Sequence, residues 1–491
     1  NQVHKYACDI SATLHKSARI FEQRIEDQWI LFAPDVAGLP VVVNDWIHEV
    51  LGSFQNGARV SDIIIAYQAR KDFLFGFDVI FSAIGFLRER GFLHKEPSTI
   101  PYSISTMQEP EPTSFGVWLH INNSCNLDCS YCFVKKDSGT VMSPEVMERT
   151  VLALVKTAKR HGIKQVYLKF AGGEPTLVIS HMEQFRKLLQ QHLHKSNVEL
   201  HSSILSNGTI MNKRLLAFLK QPDTGFGISL DGYDDSHDIY RTFKNSRRGS
   251  WSAIIKNIGI LKEHSITPHI MATISKETCS SLPELVQWIY ENGFQTRLSI
   301  VRETNCSWEC STKRESEYQN LCDTMKEAFD KAFCALEHPS VSIDLRIALD
   351  ICELQFDQPA RGVACGIGRR HLVIKPDGNL VSCPMTLDEE GLAPSEDFDL
   401  LRTCREYFPY SPLERKYDTI ENDCLSCRWF PVCAGGCPVV NKRVHGHPFT
   451  KSPMCDFYTY IIPRYIQFFA TKLMQSAKQN KNWPLSIISK R

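Results

Sequence analysis

The chain has 491 residues, 43% hydrophobic and 23% charged, with 56 Lys and Arg against 55 Asp and Glu. This near-neutral globular balance argues against a broad nucleic-acid footprint or an electrostatically held membrane surface. No apolar run approaches the roughly 20 residues of a membrane span, and Asn1 to Ile10 has no basic stretch leading into an apolar one, so no spanning segment or secretory leader is expected. A chain long enough for about three domains does not depend on disulfides, so its 18 cysteines point first to metal chemistry.

Residues 1–95 read as a small α+β module. Trp29 to Phe32 and Leu39 to Val43 are apolar, partly β-branched runs around Ala33-Pro-Asp-Val-Ala-Gly38, which predicts a hairpin. Asn44 caps a helix from Asp45, Ser61-Asp62 cap a second through Tyr67, and Asp78 to Arg90 repeats apolar residues at helical spacing up to Gly91. A hairpin followed by three helices has a winged-helix outline. Residues 96–114, with Pro97, Pro101, Pro110 and Pro112, have linker composition.

From Phe115 strand-like runs alternate with amphipathic helices. The strands are Val117–Ile121, Gln165–Phe170, Val198–Leu205, Phe226–Leu230, Thr267–Ile274 and Thr296–Val301. Six repeats of about 30 residues call for parallel strands with right-handed crossovers, and six units predict a partial, open (β/α)6 barrel over residues 115–310. A helical bridge (311–364), a Cys-, Gly- and Pro-rich region (365–458) and a closing helix with a basic tail (459–491) follow.

Just past the first barrel strand stands Cys125-Asn-Leu-Asp-Cys129-Ser-Tyr131-Cys132-Phe133. Three thiolates at the carboxyl end of a strand, where such barrels place active sites, suit a metal centre with one open position; a zinc knuckle is the plainer reading of the spacing alone. The pattern resembles the signature of the radical S-adenosylmethionine (AdoMet, SAM) enzymes, and the family's other motifs occur in order along the barrel. Gly172-Gly173-Glu174-Pro175 ends the second strand, Ser206-Asn207-Gly208 the third, and Ser229-Leu230-Asp231-Gly232 the fourth, followed by Arg241. The resemblance implies that Gly172 to Pro175 hold the amino group of AdoMet, with Glu174 supplying charge. It implies that Ser229 meets the ribose or carboxylate and that Arg241 pairs with the carboxylate; Tyr131, Phe133, Ser206, Asn207 and Asp231 complete the implied cofactor-binding set. The implied chemistry is cleavage of AdoMet by a reduced 4Fe-4S cluster on Cys125, Cys129 and Cys132, giving a 5'-deoxyadenosyl radical that abstracts hydrogen from an unactivated C–H bond.

Seven cysteines of the Cys-rich region read Cys365-x12-Gly378-x4-Cys383, Cys424-x2-Cys427-x5-Cys433-x3-Cys437 and Cys455. The arrangement resembles the SPASM domain of peptide-modifying radical SAM enzymes. By that resemblance Cys365, Cys383 and Cys437 hold one auxiliary 4Fe-4S cluster, and Cys424, Cys427, Cys433 and Cys455 a second, making three clusters in all. The first auxiliary set is one ligand short, with Cys352 the candidate and an open iron that binds a substrate thiolate the alternative. A zinc-binding scaffold is the competing, non-enzymatic reading. Cys8, Cys279, Cys306, Cys310, Cys322, Cys334 and Cys404 fall outside both patterns; Cys306 and Cys310 follow the sixth strand on the active-site side.

Residues 1–95 resemble in outline the PqqD-like module, the recognition element that captures leader peptides of ribosomally made, modified peptides (RiPPs) as an added edge strand. The family resemblance thus implies a cytoplasmic oxidoreductase, a peptide maturase that forms an intramolecular thioether or carbon-carbon crosslink. It implies a flavodoxin or ferredoxin-type electron donor and no nucleic-acid or membrane partner. The alternative is a sulfatase-maturase-like enzyme forming formylglycine. Asp231 and Glu303 lie where an acid or base is needed, but no motif selects a catalytic residue.

Overall fold

The computed structural model describes residues 9–36, 38–70, 76–97, 112–137, 139–302, 315–338, 350–356, 365–366, 370–394, 399–407 and 423–479. Cys8, Glu303, Cys306, Cys310 and most of the proposed linker lie outside them.

The N-terminal module holds more strand than its sequence suggests. It runs β1 (Thr13–Lys16), β2 (Phe21–Ile25), β3 (Gln28–Phe32), β4 (Val41–Asn44), α1 (Asp45–Gly52), β5 (Ala58–Arg59), α2 (Val60–Gln68), α3 (Phe77–Glu89) and β6 (Leu93–His94). The hairpin is β3–β4, extended by β2 into an antiparallel β2-β3-β4 sheet, while β5-β1-β6 form a second small sheet. Asn44 Oδ1 accepts from Ile47 N at 3.2 Å, the expected cap of α1. Leu31, Val41 and Val43 pack into the module's own core, whereas Ile30, Phe32 and Val42 join the core of the rest of the molecule. A sheet covered on both faces explains why 41–43 is an unbroken valine run rather than an alternating one.

The barrel consists of β7 (Ser114–Asn122), α4 (Pro144–Arg160), β8 (Gln165–Gly172), α5 (Ile179–His194), β9 (Glu199–Ser206), α6 (Lys213–Leu219), β10 (Thr224–Ser229), the single turn α7 (Asp235–Asp238), α8 (Trp251–Glu263), β11 (His269–Ile274), α9 (Leu282–Glu291) and β12 (Gln295–Ile300). All six expected strands are present and parallel, in the order of the chain. The sheet does not stop there. Past α10 (Glu315–Glu337), β13 (Asp350–Ile351) adds parallel to β12, and β14 (His371–Ile374) adds parallel to β7 with β15 (Leu380–Val381) antiparallel outside it. The nine-stranded order is β13-β12-β11-β10-β9-β8-β7-β14-β15. Segments assigned by sequence to the bridge and the Cys-rich region therefore bound the barrel on both sides.

The remaining elements are α11 (Leu400–Tyr407), α12 (Phe430–Cys433), α13 (Pro438–His445) and α14 (Cys455–Gln479). Asp399 fastens α11 to the barrel: His161 Nε2 lies 2.9 Å and Arg160 Nη1 3.3 Å from its carboxylate. Helix α14 buries Phe457, Ile461, Ile462, Ile466 and Phe468 in the main core, each worth about 1.5–3 kcal/mol relative to exposure. Its aromatic contacts reach α10, with Phe329–Phe457 and Phe333–Phe468 centroids 5.3 and 4.9 Å apart. No helix among the described residues is long and apolar enough to cross a membrane.

Candidate active site

The loop bearing Cys125, Cys129 and Cys132 leaves the carboxyl end of β7 and is held by every motif that follows it in the sequence. From β8, Gly173 N donates to Asn122 O at 2.8 Å and Glu174 N to Ser124 O at 2.7 Å. The approach is too close for side chains: a Cβ on Gly172, whose φ is +154°, would lie 2.5 Å from Asn122 Oδ1, and one on Gly173 would lie 2.5 Å from Asn123 O. The glycine pair is thus required first by the backbone of the cysteine loop.

From β9, Asn207 Nδ2 donates to Asn126 Oδ1 at 2.8 Å and sits 3.8 Å from Cys125 Sγ, while Asn126 Nδ2 donates to Thr209 Oγ1 at 2.8 Å. Beyond β10, Asp128 N donates to Thr242 O at 2.9 Å and Lys244 N to Asn126 O at 3.0 Å, forming an antiparallel bridge at Leu127 and Phe243. The end of the nine-residue β7, the ends of β8 and β9 and the turn at 242–244 converge on one loop.

Two charged side chains expected at the cofactor are engaged by the protein. Glu174 is fully buried, and its carboxylate accepts from Thr176 N, Thr176 Oγ1 and Ser206 Oγ at 3.0, 2.5 and 2.8 Å and from Asn207 N at 2.7 Å. It ties β8 to β9 and does not face the cavity. Arg241 donates through Nε to Asp231 Oδ2 at 2.6 Å, and the Tyr131 hydroxyl donates to the same carboxylate. Thr273 N fills another position on Asp231 at 2.9 Å. Behind this group lies His237, with Asp231 N donating to Nδ1 at 3.2 Å and Nε2 3.0 Å from Ser250 Oγ, whose hydroxyl donates to Arg241 O at 2.7 Å. Burial pushes the His237 imidazole down to about 3, so it is neutral and both contacts are served by one tautomer.

A cavity of about 1180 Å³ opens beneath the loop. Cys125, Cys129 and Cys132 line one end, with Tyr131, Phe133, Gly172, Gly173, Ser206, Asn207, Ser229 and Arg241 around them, while Glu174, Pro175 and Asp231 stand outside the lining. The same cavity is also lined by Cys352, Cys365, Cys383 and Cys437. Burial pushes Cys125 up to about 12 and Cys129 upward as well, so these thiols give up their protons only to a strong compensating positive charge, the condition a metal cluster satisfies.

Electrostatic influences link several cysteines of the Cys-rich region. Cys433 feels Cys427, Cys424 and Cys455 electrostatically, and Cys437 feels Cys383 and Cys365. Ala434, Gly435 and Gly436 are all at positive φ and turn the chain between Cys433 and Cys437. Cys352 acts electrostatically on Cys383. Burial raises its thiol, but Arg302 and Arg297 outweigh burial, and the net direction is down. Of the unpatterned cysteines, Cys279, Cys322 and Cys404 are buried within helical packing and Cys334 is exposed.

Sequence reasoning missed Asn122, Asn126, Thr209, His237, Arg297 and Arg302. Each is a polar residue at or just beyond a strand or loop junction, a weak signal until the strands are brought side by side.

Residues 119–289 match the model of the radical SAM superfamily. The cysteine-type anaerobic sulfatase-maturating enzyme of Clostridium novyi is 27% identical over 333 residues, spanning 64% of this chain and 85% of its own. The radical SAM cyclopropyl synthase TigE of Paramaledivibacter caminithermalis is 20% identical over 365 residues, 72% of this chain and 74% of its own. Among solved structures, native anSMEcpe with bound AdoMet and Cp18Cys peptide shares the fold with a TM-score of 0.52 at 21% identity, over 72% of this chain and 99% of that one. Such enzymes use AdoMet and a 4Fe-4S cluster, and the half-buried three-thiol loop lining a large cavity fits both. The fold, the motif-bearing strand ends and these matches together show an enzyme that carries a radical SAM domain over residues 119–289 and is similar to the anaerobic sulfatase-maturating enzymes.

Proposed function

We propose that this enzyme is a peptide maturase. The observation that carries the reading is the convergence of the ends of β7, β8 and β9 and the turn at 242–244 on the Cys125–Cys132 loop, in a cavity that further cysteines also line. Cys125, Cys129 and Cys132 hold the AdoMet-binding cluster. The backbone carbonyls of Gly172 and Gly173 and the side chains of Ser229 and Arg241 orient AdoMet, while Tyr131 and Phe133 shield it from water. Cluster and AdoMet, when bound, supply a radical able to take hydrogen from a substrate carbon. Glu174, Asp231 and His237 fix the strand ends so that the bound cofactor and substrate meet in one geometry.

Cys352, Cys365, Cys383 and Cys437 hold one auxiliary cluster, and Cys424, Cys427, Cys433 and Cys455 the other, as in a SPASM domain. Cys352 as fourth ligand is favoured over an open iron by its place beside Cys383 and by the guanidiniums that stabilise its thiolate. Residues 1–95 capture the leader of a ribosomally made precursor as an extra strand on the β2-β3-β4 sheet. The product is an intramolecular thioether or carbon-carbon crosslink, with the surplus electron passed to an auxiliary cluster; a flavodoxin or ferredoxin-type protein is the electron donor. Formylglycine formation is the second reading, favoured by the cysteine-type sulfatase-maturating relative.

Deleting the module would remove Ile30, Phe32 and Val42 from the main core and expose the apolar surface they cover, so the whole enzyme is the proper subject. Anaerobically prepared protein, given dithionite and AdoMet, is expected to release 5'-deoxyadenosine and to modify a co-expressed precursor far faster with its leader than without. Mass spectrometry separates the products. A crosslink removes two hydrogens; formylglycine from cysteine also exchanges sulfur for oxygen. Equal turnover of leaderless peptide rules out leader capture.

A further inference from the structure

Two guanidiniums converge on one sulfur. Arg302 Nη2 lies 2.9 Å and Arg297 Nη2 3.2 Å from Cys352 Sγ. Arg302 sits just past β12, where the strand end overlooks the cavity, and Cys352 sits just past β13, whose Ile351 is paired with Leu298. The sheet register itself therefore sets the contact, reinforced by Cys352 N donating to Leu298 O at 2.8 Å.

Arg302 is held from behind. Glu353 forms an ion pair with it, and the Tyr458 hydroxyl, one turn after Cys455 on α14, donates to the same carboxylate. The side chains of Arg302 and Glu353 are only 23% and 11% exposed, so the charges act through little water. The row Cys352, Arg302, Glu353, Tyr458 thus runs from one cysteine set to the helix that bears the last cysteine of the other. Arg302 also lies within electrostatic reach of Cys383 and Cys437. The arrangement exceeds what folding requires, because a buried Arg–Glu pair seldom adds net stability.

We propose that Arg302, assisted by Arg297 and held by Glu353 and Tyr458, is a positioning residue that raises the reduction potential of the auxiliary cluster carried by Cys352, Cys365, Cys383 and Cys437. The inference rests on the proposed ligand set. A cluster that takes up one electron gains one negative charge, and N–H donors with a fixed positive charge at a ligand sulfur stabilise the reduced form more than the oxidised one. The easier reduction suits a cluster that must collect the electron left when a substrate radical is oxidised.

The test is an EPR-monitored redox titration of the full-length, cluster-loaded protein. Arg302→Gln is expected to shift one auxiliary midpoint to more negative potential and leave the other two clusters in place. Arg302→Lys, which keeps the charge but loses the fork, should shift it less. Arg297→Gln, at a residue 39% exposed and paired to Asp350 at 3.7 Å, should give a smaller negative shift and serves if Arg302→Gln does not fold. Unchanged midpoints in folded variants with full iron would overturn the proposal. Wild-type protein with iron for one cluster only would instead remove the ligand set on which it rests.

Discussion

The barrel rim and the Cys-rich region both gather cysteines, but they do so by different physical means. At the rim, the loop of Cys125, Cys129 and Cys132 is fastened by backbone and amide hydrogen bonds from β8, from β9 and from the turn at 242–244, so its shape is set before any metal arrives. In the Cys-rich region, regular elements are short: α12 has 4 residues and α13 has 8, and the proposed ligands Cys352, Cys383, Cys437 and Cys455 lie far apart in the chain. A site built on strand ends is pre-organised, whereas one built on turns depends on its ligands for order.

The largest effect that can break this comparison comes from removing the cysteines themselves. Replacing Cys125, Cys129 and Cys132 by Ala should abolish AdoMet cleavage and remove about four of about twelve irons, with the circular dichroism spectrum and melting temperature nearly unchanged. Replacing Cys424 and Cys427 should instead lower the melting temperature and increase proteolysis between residues 365 and 455. Equal destabilisation by both sets would show that the rim is no more preformed than the Cys-rich region.

A smaller effect tests how tightly the rim is built. Gly173→Ala forces a Cβ against the backbone of the cysteine loop and should cost about 1–3 kcal/mol in urea unfolding. A displacement of the loop by about 1 Å should also slow AdoMet cleavage about 100-fold. Gly446→Ala, at a helix end with open space around it, is the control: its strain comes from φ +78° alone, and cleavage should persist.

The smallest effect is a pH dependence of the barrel. His120 and His371 are held down to about 4 and His237 to about 3, in each case chiefly by burial. Folded-state values below the unfolded value near 6.5 mean that the unfolded chain binds protons first, so stability is full above about pH 6.5 and is lost as pH falls toward 4. His237→Gln should flatten this slope between pH 6.5 and 5 in urea titrations, although it lowers stability at neutral pH. An unaltered slope would place the acid sensitivity elsewhere, outside the rim.

Much of the candidate site was legible in sequence because each motif follows a strand of a parallel sheet, and parallel strands in chain order bring successive carboxyl ends side by side. The residues that fasten the site were not legible in this way. Asn126, Thr209 and His237 have partners 81, 83 and 6 to 13 residues away, distances at which no periodicity carries information. The strands β1, β2, β5 and β6 were missed because they are two to five residues long and mostly polar or half-buried, below the length at which alternation is recognisable.

What the sequence determined by itself is the alternation of strand and helix, the spacing of the cysteines and the placement of turns, all properties of near neighbours along the chain. Only the tertiary structure decided the rest. It turned Glu174 away from the cavity into a bond between β8 and β9, set Asp231 on Arg241, and closed the barrel's open edges with β13 and β14. It also brought Arg302 to Cys352. Charges and lone pairs act through space, and the register of the sheet, which local sequence does not encode, fixes which of them meet.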